Sequence, residues 1–255
     1  MKLSYIGTGK AATALASVLQ SKGHSIAQAW AHTRQSGEDF QEKFLCEVVY
    51  DAHQFTKDTD VVLLAVKDDV AADVVKQFSL QGKIVATTSG FTSKSILQKV
   101  TSHTGVFYPF VSMTKGAELN FEKVLLMLEG SDEKTVLTLQ LLAQSITSNA
   151  RVVEEKQRQS LHLAAVIAQN FSNHLYCIAE QILQEQQFSF ADLHALIASH
   201  TQHVLQQSPA LLQTGPAIRH DRQTIAIQEK LLQQHPEWQK IYSILTNSIQ
   251  HFHLP

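Results

Sequence analysis

The first 150 residues alternate short apolar runs with amphipathic stretches, the βαβ pattern of a sheet covered by helices on both faces. Segments 2–6, 25–30, 47–50, 61–66, 83–87, 105–108 and 124–128 read as strands of a parallel sheet. The run 61–66, VVLLAV, is apolar at every position and is expected at the centre, buried on both sides. Between the first two strands, Ala11, Leu15, Val18 and Leu19 recur at helical spacing, and Lys22-Gly23 supplies a stop. A second helix is expected over 131–148, with Ser131 as its cap, and a short one over 93–100.

Beyond Asn149 the period changes from two to 3.6. Segment 154–187 holds no Gly or Pro and carries an apolar stripe through Leu161, Ala164, Ala168, Phe171, Leu175, Ile178 and Ile182, so one long helix is expected. Segments 190–206, 222–234 and 238–249 read as further helices. The fold class is therefore α/β: a Rossmann-type doubly wound sheet followed by an all-α C-terminal domain. The domains expected are 1–150 and 151–255, the first nucleotide-binding and the second forming a substrate cleft, a dimer contact or both.

Composition narrows the partners more than the fold. A net charge of -2 and a pI near 6.7 offer no basic excess for a phosphate backbone, so nucleic acid is not expected. Cys46 and Cys177 form no CxxC pair, which points away from a disulfide framework and towards a reducing compartment. The chain starts directly with a strand-like run, and no apolar run reaches the roughly 18 residues of a membrane span. A cytoplasmic protein without membrane contact is expected.

The chemistry starts at Gly7-Thr8-Gly9-Lys10-Ala11-Ala12, a G-x-G-x-x-A sequence between a strand and a helix. Gly7 permits the tight turn, Gly9 lets a diphosphate approach the backbone, and Ala12 lets the helix pack closely. The helix-start amides then face the negative charge. At the end of the second strand stand His32, Thr33 and Arg34, with no carboxylate before Glu38. Arg34 suits a 2′-phosphate, so NADP is the expected cofactor, although an ordinary solvated loop arginine is the plainer alternative. Ligands of such sheets lie at the carboxyl ends of the strands. Ala65, Val66 and Lys67, then Thr88, Ser89 and Gly90, are accordingly expected beside the cofactor, and Tyr108 in the wall of a substrate pocket.

These segments, GTGKAA, AHTR, AVKDD and TTSG, resemble the NADP-binding domains of pyrroline-5-carboxylate reductases and of deazaflavin-dependent NADP reductases. The second half, with LHLAA, QNF and TGPAIRHD, resembles the uncharacterised helical domain of Rossmann-like NADP oxidoreductases. The resemblance implies a nucleotide domain, a helical domain that often dimerises, hence a homodimer, and oxidoreductase activity on a small molecule. The chain departs from the β-hydroxyacid dehydrogenases, because 154–187 carries no Lys-x-x-x-Asn pair.

His162 and Asn170, eight residues apart on one expected helix, are the candidates for acid-base and orienting roles; packing roles are the alternative. Arg219 and Asp221 are candidates for substrate binding, with Asp221 equally suited to cap the helix that follows. No metal site is expected, because the paired histidines lack a carboxylate or cysteine at ligand spacing. The reaction expected is hydride transfer between NADPH and a small carbonyl or imine. The alternatives are a non-catalytic NADP(H) sensor and a structural dimer with a vestigial nucleotide turn.

Overall fold

The computed structural model describes residues 1–113 and 120–253. Its strands are β1 (Lys2–Ile6), β2 (Ser25–Trp30), β3 (Glu47–Val49), β4 (Val61–Leu64), β5 (Ile84–Thr87), β6 (His103–Pro109), β7 (Leu126–Gly130) and β8 (Ala150–Val152). They form one sheet in the order β3-β2-β1-β4-β5-β6-β7-β8. The order reverses between β1 and β4, the switch point where ligands of doubly wound sheets bind.

Side chains alternate between two apolar layers, as strand geometry requires. Leu3, Tyr5, Val61 and Leu63 face helices α1 (Lys10–Ser21), α2 (Arg34–Phe44) and α4 (Glu133–Gln144) through Leu15, Leu19, Phe40, Leu139 and Leu142. Ile6, Val62 and Leu64 face the opposite way, towards Ala71 and Val75 of α3 (Asp68–Val75) and Leu97 of the 3-10 turn Lys94–Lys99. All four residues of β4 are buried, which is why this strand reads as a continuous apolar run.

Several details depart from the sequence reading. The sheet is not wholly parallel: β7 runs antiparallel to β6, and β8 lies parallel to β7. Hydrophobic patterning records which face a strand buries, not its direction, so this reversal left no trace. The edge strand β8 spans three residues with two of them exposed, too few to show a period of two. The helix expected over 131–148 is α4, capped by Asp132 rather than Ser131: the Asp132 carboxylate accepts from the Thr135 amide at 3.0 Å. The short helix near 93–100 is a 3-10 turn capped by Ser93.

The chain forms two compact units, Met1–Val166 and Ile167–Pro255. Helix α5 (Glu155–Ala165) belongs to the first. The uninterrupted helix expected over 154–187 is instead α5, a π-helical turn over Val166–Phe171, and α6 (Ser172–Glu185). The second unit continues with α7 (His194–Val204), α8 (Arg222–Leu231) and α9 (Pro236–Phe252). Among its described residues only Ala217 and Thr246 are buried. Its apolar stripes lie open, with Leu196, Leu205 and Leu231 each more than two-thirds exposed or close to it.

Candidate functional site

Gly7 sits at φ +103°, and a Cβ there would run into the Ala65 carbonyl and approach Val66 Cγ1 at 2.9 Å. The first turn therefore packs directly on the chain leaving β4. At Gly9 the situation is opposite, for a Cβ would meet nothing within 4 Å. Gly9 is the N-cap of α1 and supplies no side-chain cap, and the first turn carries Lys10 and no acid. Open space, uncapped amides and a positive helix end together fit a diphosphate. Ala12 is fully buried, as close packing of α1 on the sheet requires.

The end of β2 adds a polar corner. Thr8 Oγ1 donates to Ser36 Oγ at 3.0 Å, and Ser36 Oγ lies 2.8 Å from Thr33 Oγ1. Thr33 caps α2, so that Arg34 begins it, exposed. The Tyr50 hydroxyl donates to the Arg34 carbonyl at 3.5 Å, and a Cβ on Gly37 would strike the Tyr50 ring. His32 is exposed beside Trp30 at a ring separation of 6.2 Å. A guanidinium, hydroxyls and a helix start, with no carboxylate at the strand end, fit a ribose 2′-phosphate.

The strand ends that follow line up beside this turn. Lys67 is the N-cap of α3, and Thr88 reaches back to β4, its amide and hydroxyl donating to the Leu64 carbonyl at 3.0 and 3.1 Å. Asp68 accepts from the Thr92 hydroxyl at 2.8 Å, joining the loops after β4 and β5. Ser89 Oγ accepts from the amides of Phe91 and Thr92 at 3.0 and 2.8 Å, which makes the 88–92 segment a compact turn.

On that turn two of the expected residues meet. The Tyr108 hydroxyl and His162 Nδ1 lie 3.0 Å apart, with the rings edge to face at 5.9 Å. Gly90 is what lets them do so: a Cβ there would meet Tyr108 Cζ at 2.6 Å and would collide with His162 Nδ1. Burial pushes the Tyr108 hydroxyl's pKa up, the nearby Arg158 guanidinium pulls against this, and Asp68 adds to it. His162 stays partly exposed.

The sequence reading missed Arg158 and Glu129. Arg158 is wholly buried; its Nε donates to Glu129 Oε1 at 2.6 Å and its Nη atoms to the Ser89 and Thr92 carbonyls at 3.2 and 3.1 Å. Glu129 Oε2 accepts from Lys94 Nζ at 2.7 Å. The signal available was weak, a single Glu in the apolar run LLMLEG and an Arg at a position facing inward on a polar helix.

The remaining candidates lie in the second unit. Asn170 is exposed in the π-helical turn, and Arg219 is exposed. Asp221 caps α8: its carboxylate accepts from the Thr224 amide at 3.0 Å and the Thr224 hydroxyl at 2.7 Å, bonds that hold its pKa down. Among the described residues no group of three or more His, Cys, Asp or Glu is placed to hold a metal ion. No helix among them is long and apolar enough to cross a membrane.

Comparison with known proteins agrees with this geometry. Residues 2–89 match the model of the NADP oxidoreductase, coenzyme F420-dependent, family, and residues 124–249 match a domain of unknown function, DUF2520. No curated protein matches the chain. Among solved structures, the "putative NADP oxidoreductase BF3122" of Bacteroides fragilis is 29% identical over 98% of both chains, with a TM-score of 0.92. A reductive aminase of Aspergillus terreus, solved with NADPH and ethyl-5-oxohexanoate, is 12% identical over 98% of this chain and 92% of its own, with a TM-score of 0.74. The 1-pyrroline-5-carboxylate reductase of Streptococcus pyogenes is 15% identical over 98% of both chains, with a TM-score of 0.59. The latter two likenesses concern the fold alone. The chain thus carries two family signatures in sequence, that of the NADP oxidoreductase, coenzyme F420-dependent, family over residues 2–89 and that of DUF2520 over residues 124–249.

Proposed function

We propose that the protein exchanges a hydride between NADP(H) and a small carbonyl or imine compound, and that Tyr108 and His162 together move the accompanying proton. The observation that carries the reading is their 3.0 Å hydrogen bond on the turn after β5, where the carboxyl ends of the strands converge. When bound, NADPH supplies the hydride. The backbone of residues 7–12, with Thr8 and Lys10, would hold the diphosphate, while His32, Thr33 and Arg34 would hold the adenosine 2′-phosphate. Ala65, Val66, Lys67, Thr88, Ser89 and Gly90 would line the ribose and nicotinamide end.

In the reducing direction the substrate carbon gains the hydride, and its oxygen or nitrogen gains a proton from the Tyr108–His162 pair. The pair regains that proton from solvent, which the partly exposed imidazole reaches. Tyr108, partly buried and uncharged at neutral pH, is the donor nearer the sheet; His162 is the exchanging group. The reductive aminase that shares the fold was solved with a keto ester, which agrees with a carbonyl or imine as the acceptor. Asn170 and Arg219, each exposed in the second unit, are offered by their chemistry alone, an amide for polar groups and a guanidinium for a carboxylate. Asp221 is left with its capping role and, through it, the placement of Arg219.

The proposal includes a homodimer through the helical part, 151–255. The second unit, 167–255, in which only Ala217 and Thr246 are buried among the described residues, has little core of its own, and covering its stripes with a second copy removes that apolar surface from water.

The test runs in two steps. Calorimetry should give micromolar NADPH binding, and a panel of cyclic imines and small ketones should then show NADPH oxidation. Tyr108→Phe and His162→Ala should each lower turnover 10²-fold or more with the NADPH Kd unchanged. Unchanged turnover in both variants, or absence of NADPH binding by folded protein, overturns the proposal.

A further inference from the structure

The first two turns of α5 bond four residues of the 89–93 segment that carries Gly90. Glu155 Oε2 accepts from Ser93 Oγ at 2.6 Å, Arg158 donates to the Ser89 and Thr92 carbonyls, and Gln159 Nε2 donates to the Phe91 carbonyl at 3.0 Å. His162 follows one turn after Arg158 on the same helix, over Gly90. Arg158 is the centre of this arrangement, because it bonds two carbonyls of the turn and Glu129 on β7 at once.

Stability is a poor explanation for such a group. Desolvating a guanidinium and a carboxylate costs several kcal/mol per ion, and replacing a buried pair by apolar side chains is often neutral or stabilising. A planar fork with donors in fixed directions does one thing that an apolar side chain cannot: it sets the distance between three acceptors at once. Here the acceptors are two carbonyls of one turn and a carboxylate of a strand, and the helix that carries the fork also carries the imidazole.

We infer that Arg158 is a positioning residue for the Tyr108–His162 pair: by bonding Glu129 and both carbonyls of the 89–92 turn, it fixes α5 at the height that keeps His162 Nδ1 on the Tyr108 hydroxyl. The inference rests on the reading of that pair as the proton-moving groups. A lysine reaches one acceptor at a time and keeps the charge, so Arg158→Lys separates charge from geometry.

The experiment uses the full chain without added cofactor, selectively 15N-labelled at histidine, and follows the ring nitrogens and the cross-relaxation between the His162 and Tyr108 rings. At a pH where the ring is neutral, the Nδ1–hydroxyl bond of the wild type should favour one tautomer, and the rings should show contact. Arg158→Lys should give a tautomer mixture and lose the ring contact, while far-ultraviolet circular dichroism stays the same. The double variant Arg158→Met with Glu129→Leu removes both buried charges together and should give the same two losses. Retention of the single tautomer and the ring contact in either folded variant overturns the inference. So does failure of both variants to fold, which would make Arg158 a folding determinant. Because no substrate or coenzyme enters the measurement, a failed activity panel and a failed inference give different results.

Discussion

Arg158 and His162 stand one turn apart on α5, the first sealed from water against Glu129 and the second partly exposed against Tyr108. The contrast separates two jobs on one helix face. A group that fixes distances is served by complete burial and saturated bonding, whereas a group that trades protons with solvent needs a free edge.

Cofactor preference follows from the corner after β2. Arg34→Ala removes a charge-assisted contact to the 2′-phosphate, a loss of about 1.5–3 kcal/mol, so calorimetry should show NADPH weakened roughly 10- to 100-fold. NADH, which lacks that phosphate, should lose less than about threefold. Equal losses for both would remove Arg34 from discrimination.

Gly90→Ala tests the packing of the pair. The added Cβ would stand 2.6 Å from Tyr108 Cζ, so rings or turn must shift, at a cost typical of overpacking, about 1–3 kcal/mol. Thermal unfolding should show that loss. Turnover should fall by at least 10-fold while the Kd for NADPH changes little, because the amides of α1 are untouched.

Asp132 supplies a pH dependence. His103 at 3.0 Å, together with the amide and hydroxyl of Thr135, holds its carboxyl well below the usual carboxylate range. A group depressed in the folded state adds stability that is present above its ordinary value of 3.8 and lost as pH falls below it. Asp132→Ala should cost about 1 kcal/mol near neutrality, the size of a lost helix cap. The melting-temperature gap from wild type should hold from pH 5 to 8 and close below pH 4. A gap that widens in acid would contradict the assignment.

Ile227 and Leu231 lie four residues apart on α8, 55% and 76% exposed. If a second copy covers them, Ile227→Glu with Leu231→Glu should shift the mass measured by light scattering from dimer to monomer. A wild type that is already monomeric at tens of micromolar would remove the dimer from the proposal.

Much of the first unit was legible because its physics is local. The continuous apolar run of β4, the G-x-G-x-x-A turn and the absence of a carboxylate after β2 each announce an environment within a few residues. The Tyr108–His162 contact spans 54 positions and depends on Gly90, which has no side chain to advertise it. Arg158 and Glu129 were missed, since only their pairing across β7 and α5 makes their burial tolerable, and neither residue shows it locally. The π-helical turn at Val166–Phe171 has the composition of an ordinary helix, so the spacing of His162 and Asn170 suggested a regular face that the backbone interrupts.

The reversed strand β7 has one more effect, on errors in assembly. Glu129 pairs opposite Val106, with Leu126 and Leu128 turned into the layer under α4. Sliding β7 by one residue would swing the carboxylate into that oily layer and leave Arg158 enclosed with no counter-ion, two penalties from a single mistake. The pair inferred to position the proton-moving groups thus also penalises a misaligned β7.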